Sequence, residues 1–226
     1  MAIKLYTISG APRGWRVLIG LTLKDLEYNI HYLQGSKQEH KQTEFLKINP
    51  RGMIPVIEHN GTIIHDSIAI LAWLDREYPK KPLFGETNDE AKNIWQITME
   101  GCDHLRNATN KLLRPILVEN VNLPNSNSEA MNTLQAASEK MHAECAYLEK
   151  LLARNLFLAG ENPSAAEAIV FPEIRLVKRA IERKPDLMGA IGFDHFDEHY
   201  PMLFAWRERI EALPNMNKTL PYHWNE

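Results

Sequence analysis

The chain has 226 residues, 44% hydrophobic and 24% charged, with a formal net charge of -3. That length and apolar content suit one large domain or two small ones with an ordinary core. The mild acidity argues against nucleic acid as a partner, and two cysteines, Cys102 and Cys145, are too few for a disulfide framework and are not at metal-ligand spacing.

In chain order, IKLYTI at residues 3–8 predicts a buried strand and SGAPRG at 9–14 a loop. A helix follows with Val17, Leu18 and Leu21 on one face, then a second strand from Tyr28 to Leu33. Strand, helix, strand at this length predicts a βαβ unit with parallel strands. The polar stretch GSKQEHKQTEFLKI carries a short helix near Glu44, Phe45 and Leu46. Ile54-Pro55 opens the run Val56-Ile57, Asn60-Gly61 marks a two-residue hairpin turn, and Ile63-Ile64 forms the return strand. A helix then begins at Asp66 or Ser67 and runs to about Tyr78. The order β-α-β-α-β-β-α is thioredoxin-like.

Tyr78-Pro79-Lys80-Lys81-Pro82 breaks this pattern. The expected division is therefore an α/β domain over 1–79, a linker over 80–87 and an all-α helical bundle over 88–226. Helical spacing marks residues 88–117 and 128–153. Ser164-Ala165-Ala166-Glu167 has the form of a capping box for the next helix, which Pro172 is expected to kink. Leu203, Trp206, Ile210 and Leu213 mark a last helix.

Residues 49–67, NPRGMIPVIEHNGTIIHDS, combine a proline, a hairpin and a helix start. A helix N-terminus offers unpaired N–H groups and positive partial charge, so it can hold a carboxylate. Ser67 adds a hydroxyl, and Asp66 can take an ammonium in a charge-assisted bond. Such a pair suits the amino-acid end of a small zwitterion, while a plain capped helix after a hairpin remains the structural alternative. His31, His59 and His65 read as surface or packing residues, and none is spaced as a metal site. No apolar leader and no apolar run of membrane-spanning length are present, so a cytoplasmic protein without membrane or metal is expected.

Four segments, NPRGMIPVI, HDSIAILAWLDREYP, FLAGENPSAAEAIVFPEI and YPMLFAWRERIEALP, resemble the cytosolic glutathione transferase superfamily in order and spacing. The resemblance implies a thioredoxin-like N-terminal domain on an all-helical C-terminal domain, glutathione as co-substrate, a homodimer and a role in detoxification. It implies that Ile54-Pro55 is cis, that the backbone of Ile54 pairs with the cysteinyl part of glutathione, and that Asp66 and Ser67 bind its γ-glutamyl end. Arg51 and Pro55 fall in the same glutathione-binding segment.

The loop SGAPRGWRV departs from the common pattern. By the spacing to Trp15-Arg16-Val17, the usual catalytic serine aligns with Ala11 and the usual cysteine with Pro12. The loop is most similar to the nu-class and Ure2-like group, with Arg13 where that group has asparagine. EHKQTEFLKINP also resembles that group and makes His40 a candidate for the glycyl carboxylate. A free thiol near pKa 8.5 is only a few per cent ionised at neutral pH, and a two-unit shift needs about 2.7 kcal/mol. The Arg13 guanidinium can supply energy of that order, and Ser9 is the second candidate to assist the sulfur. Ala11 and Pro12, with Met99, Asp103, Arg106 and Asn107 on the first long helix, are expected to line the electrophile pocket. Tyr222, His223 and Trp224 are expected to fold back over it.

These features predict attack of glutathione on a small electrophile, or disulfide reduction through a mixed glutathionyl intermediate. A non-catalytic glutathione-binding regulator of the same fold, and a β-etherase-type lyase, are the alternatives. Maleylacetoacetate isomerase is disfavoured because its SSC loop motif is missing.

Overall fold

The computed structural model describes residues 2–225. The chain sorts into two compact units. One runs to Ala91 and takes in the chain from Glu211 onward; the other is Lys92–Ile210. The closing segment thus packs with the α/β unit, whereas the expected division left it with the helices. Its buried anchors, Met216, Thr219 and Pro221, are spread over six residues without helical or strand periodicity, so no local pattern names their partner.

The first unit holds β1 (Ile3–Thr7), α1 (Pro12–Leu23), β2 (Tyr28–Tyr32), α2 (Thr43–Leu46), β3 (Val56–His59), β4 (Thr62–His65) and α3 (Ser67–Glu77). The sheet order is β2-β1-β3-β4, with β1 parallel to β2 and the other pairings antiparallel. Leu5 pairs with Ile57 across the sheet. Leu5, Val17, Leu21, Ile57, Ile70, Leu71 and Leu74 are fully buried. Tyr6, Leu33, Phe45 and Val56 form a second cluster, with Ile54 packed against it. Two glycines in α1 permit its close approach. A Cβ at Gly14 would sit 1.7 Å from Thr7 Oγ1, and one at Gly20 would sit 2.2 Å from Leu71 Cδ2. A side chain at Gly14 would press α1 away from β1, and one at Gly20 would press it against Leu71 of α3.

The expected linker is a stapled segment. Buried Lys24 donates to Asp75 Oδ1 at 3.0 Å and to the carbonyls of Lys80 and Lys81. Asp75 also accepts from the Leu83 and Phe84 amides, and both of those side chains are buried.

The second unit is built from α4 (Asn88–Glu100, whose first turn belongs to the first unit), α5 (Arg106–Leu113), α6 (Glu129–Leu152), α7 (Ala165–Arg183), α8 (Pro185–Ala190), α9 (Phe196–His199) and α10 (Pro201–Glu211). The helix expected over 88–117 is interrupted by π turns at Gly101–Leu105 and Arg114–Val118. The first begins where a Cβ on Gly101 would meet Ile169 of α7 at 2.9 Å. An i→i+5 turn shifts every later residue around the helix, so spacing counted through it no longer marks one face. α7 is continuous through Pro172. α8 and α9 are too short for a periodicity reading to find.

Candidate functional site

The segment before β3 is held by its own side chains. Buried Asn49 donates from Nδ2 to the Met53 carbonyl at 2.8 Å, and its Oδ1 accepts from the Arg51 amide at 3.1 Å. Gly52, at φ 56°, leaves no space for a Cβ, which would lie 2.7 Å from the His40 carbonyl. The Ile54-Pro55 bond is cis, as expected. Ile54 is half-buried and Arg51 is exposed. His40 stands in a short 3₁₀ turn, and its Nδ1 is buried without a hydrogen-bond partner. Lys41 donates to the Arg51 carbonyl at 3.3 Å and reaches Met53 Sδ at 3.9 Å. Lys41 and Asn49 were not singled out by the sequence. Both act through loop contacts, ten and four residues away, that no regular element in this stretch announces.

The hairpin returns the chain to Asp66, whose backbone stands at φ 75° and ψ 128°. A non-glycine residue there costs on the order of 1–3 kcal/mol, and such strain concentrates where a ligand is held. Asp66, rather than Ser67, is the N-cap: its Oδ1 accepts from the Ile68 amide at 2.9 Å and the Ala69 amide at 3.5 Å. Ser67 is the first helical residue, 2% exposed, at a position where the helix provides its N–H no acceptor. Among the described residues, no hydrogen bond engages its hydroxyl.

The loop after β1 is a tight turn. The Ala11 amide donates to the Ile8 carbonyl at 3.0 Å, and Gly10 takes φ 78°, which a side chain would resist. Ala11 is the N-cap of α1 with no side-chain bond, and Pro12 follows at the first helical position. The first-turn N–H groups, beginning with Arg13, therefore meet no capping side chain. Arg13 is exposed on that turn, with no hydrogen bond or ion pair among the described residues. Ser9 Oγ lies 3.1 Å from His223 Nδ1. Tyr222 meets Tyr32 edge-on at 5.3 Å, and Trp224 meets Trp15 likewise. The closing aromatic run thus lies against the loop and α1 within the first unit.

In the second unit, Met99, Asp103 and Asn107 are exposed. Arg106 is half-buried and pairs with the fully buried Glu173 at 3.0 Å. That ion pair joins α5 to α7. The π turn at Gly101–Leu105 lies between Met99 and Arg106. Among the described residues, no group of three or more His, Cys, Asp or Glu could hold a metal, and no helix is long and apolar enough to cross a membrane.

Family models match both parts of the chain: the N-terminal domain of glutathione S-transferase over residues 11–77 and its C-terminal domain over residues 115–214. The chain belongs to the glutathione transferase superfamily. Glutathione S-transferase A of Pleuronectes platessa is 25% identical over 96% of this chain and 91% of its own length. A glutathione S-transferase from the Antarctic clam Laternula elliptica is 27% identical, with a TM-score of 0.83 over all of this chain and 95% of that one. A glutathione transferase from Phanerochaete chrysosporium, solved in complex with oxidized glutathione, shares the fold at 24% identity and a TM-score of 0.77, covering 96% of this chain and 94% of its own. The thioredoxin-like sheet with a helical second domain is thus the glutathione transferase fold, and the family binds glutathione as substrate.

Proposed function

We propose that the chain binds glutathione in its first unit and activates the thiol for attack on a small electrophile or a disulfide. The observation that carries this reading is the strained Asp66 beside Ser67. A residue held at φ 75° turns the chain so that an unspent hydroxyl and a first-turn N–H stand together. Both suit the γ-glutamyl carboxylate, and the second oxygen of Asp66 suits its ammonium. The backbone of Ile54 is assigned to the cysteinyl part. His40 and Arg51 are assigned to the glycyl carboxylate, and Lys41 supplies a further cation for it. The uncapped N-terminus of α1 and the Arg13 guanidinium favour the thiolate over the thiol. The loop pattern supports a place near the nu-class and Ure2-like group. Family likeness supports a homodimer working in the cytosol.

One observation favours a second reading. Ala11 has no hydroxyl where many relatives assist the sulfur, which suits a glutathione-binding protein without turnover.

Calorimetry and an assay panel separate the two. Ser67→Ala removes a bond to a charged group, worth about 1.5–3 kcal/mol, or roughly a ten- to hundredfold loss of glutathione affinity. Turnover is expected on at least one of an aryl halide, a hydroperoxide, hydroxyethyl disulfide and a β-aryl ether. Unchanged affinity in both Ser67→Ala and Asp66→Asn refutes the binding site. Tight binding with no turnover on any probe selects the second reading.

A further inference from the structure

The closing segment is seated rather than loose. Thr219 is buried and accepts from the Trp15 indole N–H at 3.0 Å. Pro221 is buried, Tyr222 rests edge-on against Tyr32, and Trp224 rests edge-on against Trp15. Fixing each residue costs about 1–2 kcal/mol of backbone entropy. Two buried residues, an indole hydrogen bond and two aromatic pairs are of the size needed to offset that for the short turn they hold. The turn sets His223 on the loop after β1. Its Nδ1 is 3.1 Å from Ser9 Oγ, and its ring is close enough to Gly10 that a Cβ there would meet Cε1 at 3.0 Å. Gly10 thus leaves room for the imidazole as well as making the turn.

We propose that Ser9 and His223 form a proton relay that ionises the glutathione thiol, an inference that rests on the glutathione site proposed above. The sulfur's S–H bond breaks as its proton passes to Ser9 Oγ. The Ser9 proton passes in the same event to His223 Nδ1. The products are a thiolate, an intact serine hydroxyl that now donates to the sulfur, and an imidazolium that donates to the serine. One proton moves from sulfur to imidazole and no electrons are exchanged. The relay requires the tautomer with its proton on Nε2, leaving Nδ1 as acceptor.

Ser9 is the catalytic residue in this scheme, and His223 is a positioning residue that acts through it. The role that a hydroxyl at position 11 would serve is carried by a hydroxyl two residues earlier, with a base behind it. The titratable and charged groups on the elements against this turn are Tyr28, His31 and Tyr32 on β2, Tyr222 on the turn itself, Lys218 before it, and Arg13 and Arg16 on α1. Burial holds the Tyr32 phenol above its ordinary value, so it stays neutral. The arginines favour the thiolate.

The test uses the full chain and three variants: Ser9→Ala, His223→Asn and the double change. Asparagine places an amide near Nδ1 and keeps a hydrogen bond to Ser9, but it takes up no proton. Calorimetry reads glutathione affinity, and ultraviolet titration reads the thiolate of the bound peptide. His223→Asn is expected to hold glutathione within about threefold of wild type. It is expected to raise the bound thiol's apparent pKa by about one unit, which is tenfold less thiolate in the acid limb. Turnover should fall about tenfold at pH 6.5 and recover by pH 9. The double variant should match Ser9→Ala alone, because the two act in series. A pH profile unmoved in His223→Asn overturns the relay, as does a loss that is uniform across pH, which marks a structural latch. If the wild type fails to bind glutathione, the functional reading falls and the relay falls with it. Intact binding with an unmoved profile removes only the relay.

Discussion

The N-terminus of α7 and those of α1 and α3 meet the same requirement in opposite ways. Every helix start leaves backbone donors without partners. At α7 the answer is internal. Ser164 Oγ accepts from the Ala166 amide, and fully buried Glu167 accepts from the Ser164 amide at 2.7 Å, the Ser164 hydroxyl at 2.9 Å, the Leu158 amide at 2.7 Å and the Trp206 indole at 3.4 Å. At α1 the N-cap is Ala11, with no side-chain bond. At α3 one carboxylate oxygen of Asp66 caps the helix from a strained backbone, and Ser67 is left over. A saturated start is architecture. The start of α3, left partly open on a strained residue, is the one the proposed glutathione site uses.

The comparison predicts effects on different observables. The largest is at α7. Glu167→Ala leaves several buried donors without an acceptor, at about 1–3 kcal/mol for each. The expected cost is about 3–5 kcal/mol, read as a lower urea midpoint. Glu167→Gln should lose less, because its carbonyl oxygen still accepts. If Glu167→Ala matches wild-type stability, the internal saturation of α7 does not matter and the contrast fails. Ser67→Ala is the converse, with the affinity loss given above and stability within about 0.5 kcal/mol of wild type.

Asp66→Gly sharpens the contrast further, because its two effects have opposite signs. Glycine adopts φ 75° without strain and removes a penalty of about 1–3 kcal/mol. It loses the cap, worth a few tenths of a kcal/mol for glycine, and raises unfolded-state entropy by up to about 1 kcal/mol. The net expectation is a gain of between about 0 and 2 kcal/mol in stability with weaker glutathione binding. Lower stability with unchanged affinity would make Asp66 a plain cap.

Much of this was legible in the sequence, because it is local. The apolar run of β1, the Asn60-Gly61 turn, the Ser164–Glu167 box and the proline at 55 each carry their meaning within a few residues. What stayed hidden depends on contact at a distance. The first π turn begins at Gly101, where the helix meets α7, a contact that helical spacing does not register. Lys24 looks like a surface lysine at a helix end, yet it is buried against a segment more than fifty residues later. His223 is expected from the sequence to fold back with its aromatic neighbours, but nothing local pairs it with Ser9, 214 residues earlier.

The rule that internally satisfied polar groups are structural extends to His142, with the smallest expected effect. Its ring stacks on Phe193 at 4.2 Å, and its Nδ1 meets the Tyr200 hydroxyl at 2.8 Å. Burial, and then the charge of His199, hold this imidazole below its ordinary value, against a smaller opposing effect of the backbone at Gly192. The native state therefore takes up a proton less readily than the unfolded chain. The linked stability is fully present above the ordinary imidazole value, about 6.5, and is lost as the pH falls below it toward the lower native value. His142→Gln keeps a hydrogen-bonding side chain but does not titrate in this range. Melting temperatures of the two proteins, measured from pH 8 to pH 5, should run parallel above about pH 7. The wild type should then fall more steeply on the acid side. Curves parallel throughout would mean that His142 binds its proton equally in both states, and that its partners do not disfavour the charge.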